Sequence, residues 1–96
     1  MDLKLISIKK ANDGKHKLVA KFKKGDKEIN TKFGAVGYSD FTIHHDIERK
    51  DRYLARHKKN EKWNDPTTAG ALSRWILWNK PSFSASLADY KKRFNV

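Results

Sequence analysis

Thr67-Thr68-Ala69-Gly70-Ala71-Leu72-Ser73-Arg74-Trp75-Ile76-Leu77-Trp78-Asn79-Lys80-Pro81 is the only long apolar run in a chain otherwise crowded with lysine. Asp65-Pro66 just before it reads as a helix start, with Asp65 as N-cap and Pro66 in the first turn, where a missing N–H costs nothing. Asn79-Lys80-Pro81 reads as the stop. On a helical wheel Ala71, Leu72, Trp75 and Trp78 share one side, and Ile76 and Leu77 carry the apolar surface further round. A helix apolar on nearly all sides belongs at the centre of a fold. Ser73-Arg74 is its one polar break. Arg74 is expected to pair with an acid such as Asp40 or Asp46 and so to serve the structure.

The totals bound the rest. Ninety-six residues suit one domain with a modest core. There is no cysteine, so neither a disulfide framework nor a thiolate metal site is available. The first residues lack a continuous apolar stretch of the signal-peptide kind, and the run around Trp75 is too short to span a bilayer, so a soluble protein is expected. A net charge of +11 points to a polyanionic partner, nucleic acid before an anionic membrane. That charge is uneven. Residues 1–48 carry ten Lys+Arg against seven Asp+Glu, a balance of +3, whereas residues 49–96 carry twelve against four, a balance of +8. All five arginines fall in the second half, and the guanidinium fork suits phosphate.

The first third reads as three strands, about residues 3–10, 16–24 and 27–33. Gly25-Asp26 is a two-residue turn of the glycine-first kind. Pairing Lys24 with Lys27 sets Phe22 opposite Ile29, Ala20 opposite Thr31 and Leu18 opposite Phe33 on one face, with Lys23 facing Glu28 on the other. Asn12-Asp13-Gly14 makes the earlier turn, with Gly14 at positive φ. A three-residue loop there sets Ile8 opposite Leu18 and Ile6 opposite Ala20. The sheet then has one apolar face that helices must cover. Lys17, Lys21, Lys23 and Lys32 line the other face, read as solvated in preference to phosphate-binding.

Gly34-Ala35-Val36-Gly37 has the spacing of the glycine loop with which KH domains clamp a nucleic-acid backbone. That loop joins two helices, whereas this one leaves a strand, so a tight bend is the preferred reading. His44-His45-Asp46 invites a metal or nuclease reading with His57 as a further ligand. Adjacent histidines point apart and no supporting spacing is present, so Asp46 is read as the N-cap of the next helix and no metal or cofactor is expected.

That helix runs from Ile47 to about Asn60, with Ile47 and Leu54 on its apolar side and Tyr53 and His57 flanking. Arg49, Arg52, Arg56 and Lys59 recur at spacings of three, four and three. At ~100° per residue they fall in a stripe about 80° wide and roughly 15 Å long. Lys58 and Lys62 widen it, and Glu48 on its border can pair with Arg52. Trp63 is assigned to capping the core, ahead of base stacking or a subunit contact. A final helix, capped by Ser82 or Ser84, places Phe83, Leu87, Tyr90 and Phe94 on one side. Lys91, Lys92 and Arg93 sit in its last turn, complementing the helix dipole and extending the basic surface together with Lys80.

The residues Lys32-Phe33-Gly34-Ala35, Gly37, Ser39-Asp40-Phe41-Thr42, His44, Asp46, Arg49, Tyr53, Arg56-His57, Trp63, Thr68-Ala69-Gly70, Ser73-Arg74-Trp75 and Leu77-Trp78-Asn79-Lys80-Pro81 carry a resemblance. Over residues 32–94 the chain resembles small basic proteins of giant nucleocytoplasmic DNA viruses, with relatives in algae and other protists. Ala71-Leu72, where larger apolar residues are usual, and Ile47, where a proline is common, depart from that pattern. The resemblance implies a protein that binds and compacts viral DNA without a histone fold, in the virion, the viral factory of the host cytoplasm or the host nucleus. It implies no enzyme, and Ser73 has no evident base partner. It does not say which residues touch DNA.

The expected protein is thus an α+β domain over residues 1–96. A three-stranded antiparallel meander (1–33) has one face covered by three helices (34–96). Its expected partner is duplex DNA bound without sequence preference, through Arg49, Arg52, Arg56 and Lys59, helped by Lys58, Lys62, Lys80, Lys91, Lys92 and Arg93. Compaction needs two DNA contacts per particle, so a homodimer or a second basic face is expected. The alternative is a protein-interaction module that exposes Trp63 or Trp78, its charge serving only solubility. A metal-dependent nuclease built on His44, His45 and Asp46 ranks below both.

Overall fold

Gly25 and Asp26 reverse the chain between two long strands, and the pairing on either side follows from that turn. The structure, a computed structural model, describes residues 3–37, 39–59 and 63–96. Strands β2 (His16–Lys24) and β3 (Lys27–Ala35) run antiparallel. Lys24 stands opposite Lys27, Phe22 opposite Ile29, Ala20 opposite Thr31 and Leu18 opposite Phe33, the register expected from the sequence. Gly25 takes φ 61°, as a glycine-first turn requires. Lys23 does face Glu28, but the ion pair on that exposed side is the diagonal one, Lys21 to Glu28 at 3.5 Å.

Strand β1 (Leu3–Lys10) pairs with the other edge of β2, giving the order β1-β2-β3. Its register differs from the expected one. Ile8 lies opposite Ala20 and Leu5 opposite Phe22, with a bulge between Leu5 and Ser7. Two causes combine. The Asp13 carboxylate accepts from the Lys15 and His16 backbone N–H groups, and Ala11 N–H donates to Lys17 O, so the connection is longer than three residues. The bulge then shifts the alternation by one, so that Leu3, Leu5 and Ile8 all pack on the core while Ile6 is left 54% exposed.

Four helical segments follow, so the domain is α+β: α1 (Phe41–His44), α2 (Ile47–His57), α3 (Ala69–Leu72) and α4 (Phe83–Phe94). Helix α1 is one more than expected. It is a single turn, capped by Asp40, which accepts from Thr42 N–H. The Trp-rich run begins later than Asp65-Pro66 implies. Thr68 is the N-cap of α3, accepting from Ala71 N–H, and Asp65 instead caps the preceding turn by accepting from Thr67. Beyond Leu72 the helix continues as a π-helical turn over Ser73–Leu77, where Trp78 N–H reaches back five residues to Ser73 O.

The core forms where the sheet meets this run. Ala20, Phe22 and Phe33 pack with Leu72, Ile76, Leu77 and Tyr90, all nearly inaccessible. Helix α4, capped by Ser82, closes the layer with Tyr90 and Ser86 innermost, Leu87 and Phe94 half-buried and Phe83 at the rim. The Tyr90 hydroxyl donates to Pro66 O at 2.6 Å, and Thr31 Oγ1 donates to Thr67 O, tying the segment before α3 to both layers. Helix α2 does not cover the sheet as expected. It has no fully buried residue, and Ile47 is 66% exposed rather than packed.

Gly34 marks the closest approach of sheet and helix. It has φ 77°, and a Cβ there would stand 2.9 Å from Leu77 Cδ1 and 3.2 Å from Lys17 Cβ. Gly37 has φ 90° with open space around it. Gly37→Ala should cost about 1 kcal/mol of unfolding free energy from backbone strain alone. Gly34→Ala should cost about 1–3 kcal/mol more, because buried Leu77 must move. Denaturant midpoints of the two variants measure the difference.

Candidate nucleic-acid interface

Asp46 begins α2 as the sequence implies. Its carboxylate accepts from the N–H groups of Glu48 and Arg49, a cap that contributes about 1 kcal/mol. The helix ends at His57, so Arg49, Arg52 and Arg56 stand on it, while Lys58 and Lys59 lie exposed in the turn beyond. Lys62 lies outside the described residues. The inner side of α2 is polar and aromatic. Lys50 Nζ donates to Asn79 O at 2.7 Å and sits 4.9 Å from the Phe41 ring centre. Tyr53 stacks on Trp78, ring centres 4.2 Å apart and planes 5° apart, with His57 stacked on Tyr53 at 4.2 Å.

Because α2 is held through Trp78 rather than laid on the sheet, a cleft of about 510 Å³ opens between them. One wall is α2, contributing Arg49, Arg52, Tyr53, Arg56 and His57. The strand ends contribute Lys17, Gly34 and Ala35, and the Trp-rich run contributes Ala69, Gly70, Ser73, Leu77 and Trp78. Asp40 is the cleft's acid, and it is already engaged: its Oδ2 accepts from Lys17 Nζ at 2.6 Å and its Oδ1 from Thr42. Lys17 is therefore an ion-paired wall residue rather than part of a solvated face. Arg49, Arg52 and Arg56 form no ion pair among the described residues, the expected Glu48–Arg52 pair included.

The other predicted cations divide. Lys80, Lys91 and Lys92 are exposed but away from the cleft lining. Arg93 has structural partners: it bonds Asp89 at 3.4 Å, and its guanidinium lies 3.9 Å from the Trp75 ring centre. Arg74 also departs from expectation. It reaches neither Asp40 nor Asp46, which cap their own helices, but donates to Trp78 O at 3.1 Å and lies 4.0 Å from the Trp75 ring centre and 5.5 Å from that of Trp63. Burial, then the charge of Arg93, pushes its pKa down. The Trp75 and Trp63 rings attract the guanidinium electrostatically, a partner that a carboxylate count along the sequence does not reveal. The contacts of Arg74 are thus within the Trp-rich cluster rather than with an acid. Trp63, whose carbonyl accepts from Trp75 Nε1, is half-buried against this cluster.

His44, His45 and Asp46 form no metal-binding cluster with one another or with His57 among the described residues. His44 Nδ1 accepts from Asp46 N–H at 2.8 Å, so the neutral ring carries its proton on Nε2, which is buried without a hydrogen-bond partner among the described residues. Its ring lies 5.3 Å from that of Trp78. Burial lowers its pKa below 6.5, reinforced by Arg49 and His45 and opposed by Asp46 and Asp40.

The chain matches a family of unknown function, DUF5754, over residues 6–57, more than half of its length. It belongs to this family. The DUF5754 segment runs from β1 to the last residue of α2 and so includes Gly34, Asp40 and the whole arginine wall, while the Trp-rich run lies beyond it. No curated protein and no solved structure matches the chain significantly.

The His44 geometry has a testable sign. A histidine whose folded pKa is lowered binds fewer protons folded than unfolded, so stability falls as pH drops through 6.5 towards the folded value. Protonation also replaces the acceptor of the Asp46 N–H with a second donor. His44→Asn, whose side-chain carbonyl can take that N–H, should flatten the fall in urea midpoint between about pH 7.5 and about pH 5.5. An unchanged slope would rule out His44 as the source of the effect.

Proposed function

We propose that the protein is a non-enzymatic, sequence-tolerant DNA-binding protein that engages phosphates through Arg49, Arg52 and Arg56. One observation carries the reading: three guanidinium groups share one cleft wall with no carboxylate partner among the described residues, while other cations of the fold are engaged internally. Three cations on one wall make a site that favours an anion. Lys58 and Lys59 extend the wall at its C-terminal end.

The resemblance to giant-virus basic proteins supports a role in genome compaction, in the virion, the viral factory or the host nucleus. Lys91 and Lys92, exposed at the end of α4 and outside the cleft, supply a second basic surface for bridging duplexes, with or without a homodimer. The interaction-module reading loses support, since it needs Trp63 or Trp78 exposed and both are half-buried in ring contacts.

Three phosphates neutralised on duplex DNA give a slope of log K against log salt of about −2.7. Gel shifts or anisotropy across a salt series should show a slope at least this steep. The Arg49/Arg52/Arg56→Ala variant should lose most of both affinity and slope. Wild-type affinity in that variant would refute the arginine wall.

A further inference from the structure

We infer that the cleft accepts an unpaired nucleotide, so that single-stranded DNA is preferred over a closed duplex; this rests on reading Arg49, Arg52 and Arg56 as the phosphate wall. The argument begins with shape. A surface that tracks a duplex backbone only needs to be basic, whereas here the three arginines overhang a recess of about 510 Å³. That volume falls in the range of roughly 300–1,000 Å³ typical of pockets that enclose a single small ligand.

The recess is also divided chemically. Its α2 wall is cationic, while Ala35, Ala69, Gly70, Leu77 and Trp78 offer it uncharged, mostly apolar surface. Asp40, the one acid among the described lining residues, is ion-paired with Lys17. A nucleotide has the same division, an anionic phosphate on one side and a flat, weakly polar base on the other. Spacing agrees. Arg49 and Arg56 are seven residues apart, about 10 Å along the helix. That length is enough to meet more than one phosphate of an unpaired strand. A strand laid along α2 would keep its phosphates on the arginines and turn a base into the recess. A closed duplex presents its phosphate ridge to the mouth and keeps its bases stacked, so filling the recess requires extrusion at a cost.

The test compares labelled oligo(dT) with a blunt duplex of the same length at two salt concentrations, using the full chain. Ala35→Trp and Ala69→Trp, each at an exposed position of the lining, plug the recess and leave the arginines in place. The wild type should bind the strand roughly ten-fold or more tighter than the duplex at equal salt. Each plugged variant that melts like the wild type should lose that preference for the strand. Equal strand and duplex affinities in the wild type, or plugged variants that keep the preference, overturn the inference and leave the arginine wall standing. If neither plugged variant folds, the wild-type comparison decides alone. Failure of the underlying reading looks different: Arg49/Arg52/Arg56→Ala would then bind both probes as the wild type does.

Discussion

The Trp-rich helical run ends on a buried amide, Asn79, and three elements are tied there. Its Nδ2 donates back to Trp75 O and across to Asp89 Oδ2 on α4, and its carbonyl accepts from Lys50 Nζ on α2. The next residue continues the clasp, since Lys80 N–H donates to the Ser86 hydroxyl, which in turn donates to Lys80 O. Helix ends leave carbonyl groups without intrahelical partners, and burying them unpaired is costly. Here side chains from α2, α4 and the helix's own end satisfy several of them. The bond from Asn79 is the main reason the Asp89 carboxyl sits below its ordinary pKa. With the run ended this way, Trp78 is left at its edge, where Tyr53 stacks on it and sets the position of α2.

This arrangement sorts the cations by task. Lys17 neutralises Asp40, Lys50 closes the helix end, and Arg74 and Arg93 both lie beside Trp75. These four act inside the fold. Lys50 and Arg74 show it in their pKa values, both lowered first by burial. A strongly basic composition therefore overstates the charge free to meet a partner. The arginines of α2 are different, because the contacts that hold that helix run through Lys50 and Tyr53 on its inner side and leave Arg49, Arg52 and Arg56 without an ion pair among the described residues.

What was legible in the sequence follows the range of the interactions involved. The β2–β3 register was readable to the residue because a two-residue turn leaves one register, although β3 runs on to Ala35, past the expected end at residue 33. The Asp46 cap, a serine cap that proves to be Ser82, and the three-arginine spacing were readable because each is decided within one helical turn. The β1 register was not, because a bulge at Ile6 and an Asp13-centred loop offset each other and neither has a unique sequence sign. Asp65-Pro66 imitated a helix start that Thr68 provides, since both residues satisfy local capping rules. The cleft was not legible at all. It exists because Ile47 stays exposed and Tyr53 reaches Trp78, a pairing across the tertiary fold. The one advance sign was the polar character of the helix, on which Ile47 and Leu54 are too few to form a core-facing stripe.

Helix α2 thus combines two properties that belong together. It contains no fully buried residue, so hydrophobic burial contributes little to holding it, and stacking with Trp78 and the Lys50 bond carry much of its attachment. It also carries Arg49, Arg52 and Arg56 on its cleft side, with no ion-pair partner among the described residues. On the proposed function, an anion on that wall would add contacts to the helix. A ligand that binds only the docked arrangement stabilises it in proportion to the logarithm of its occupancy. On the proposed function, the loose attachment of α2 and the arginines that lack an ion-pair partner among the described residues are two aspects of one design, in which a bound polyanion would supply contacts that the core does not.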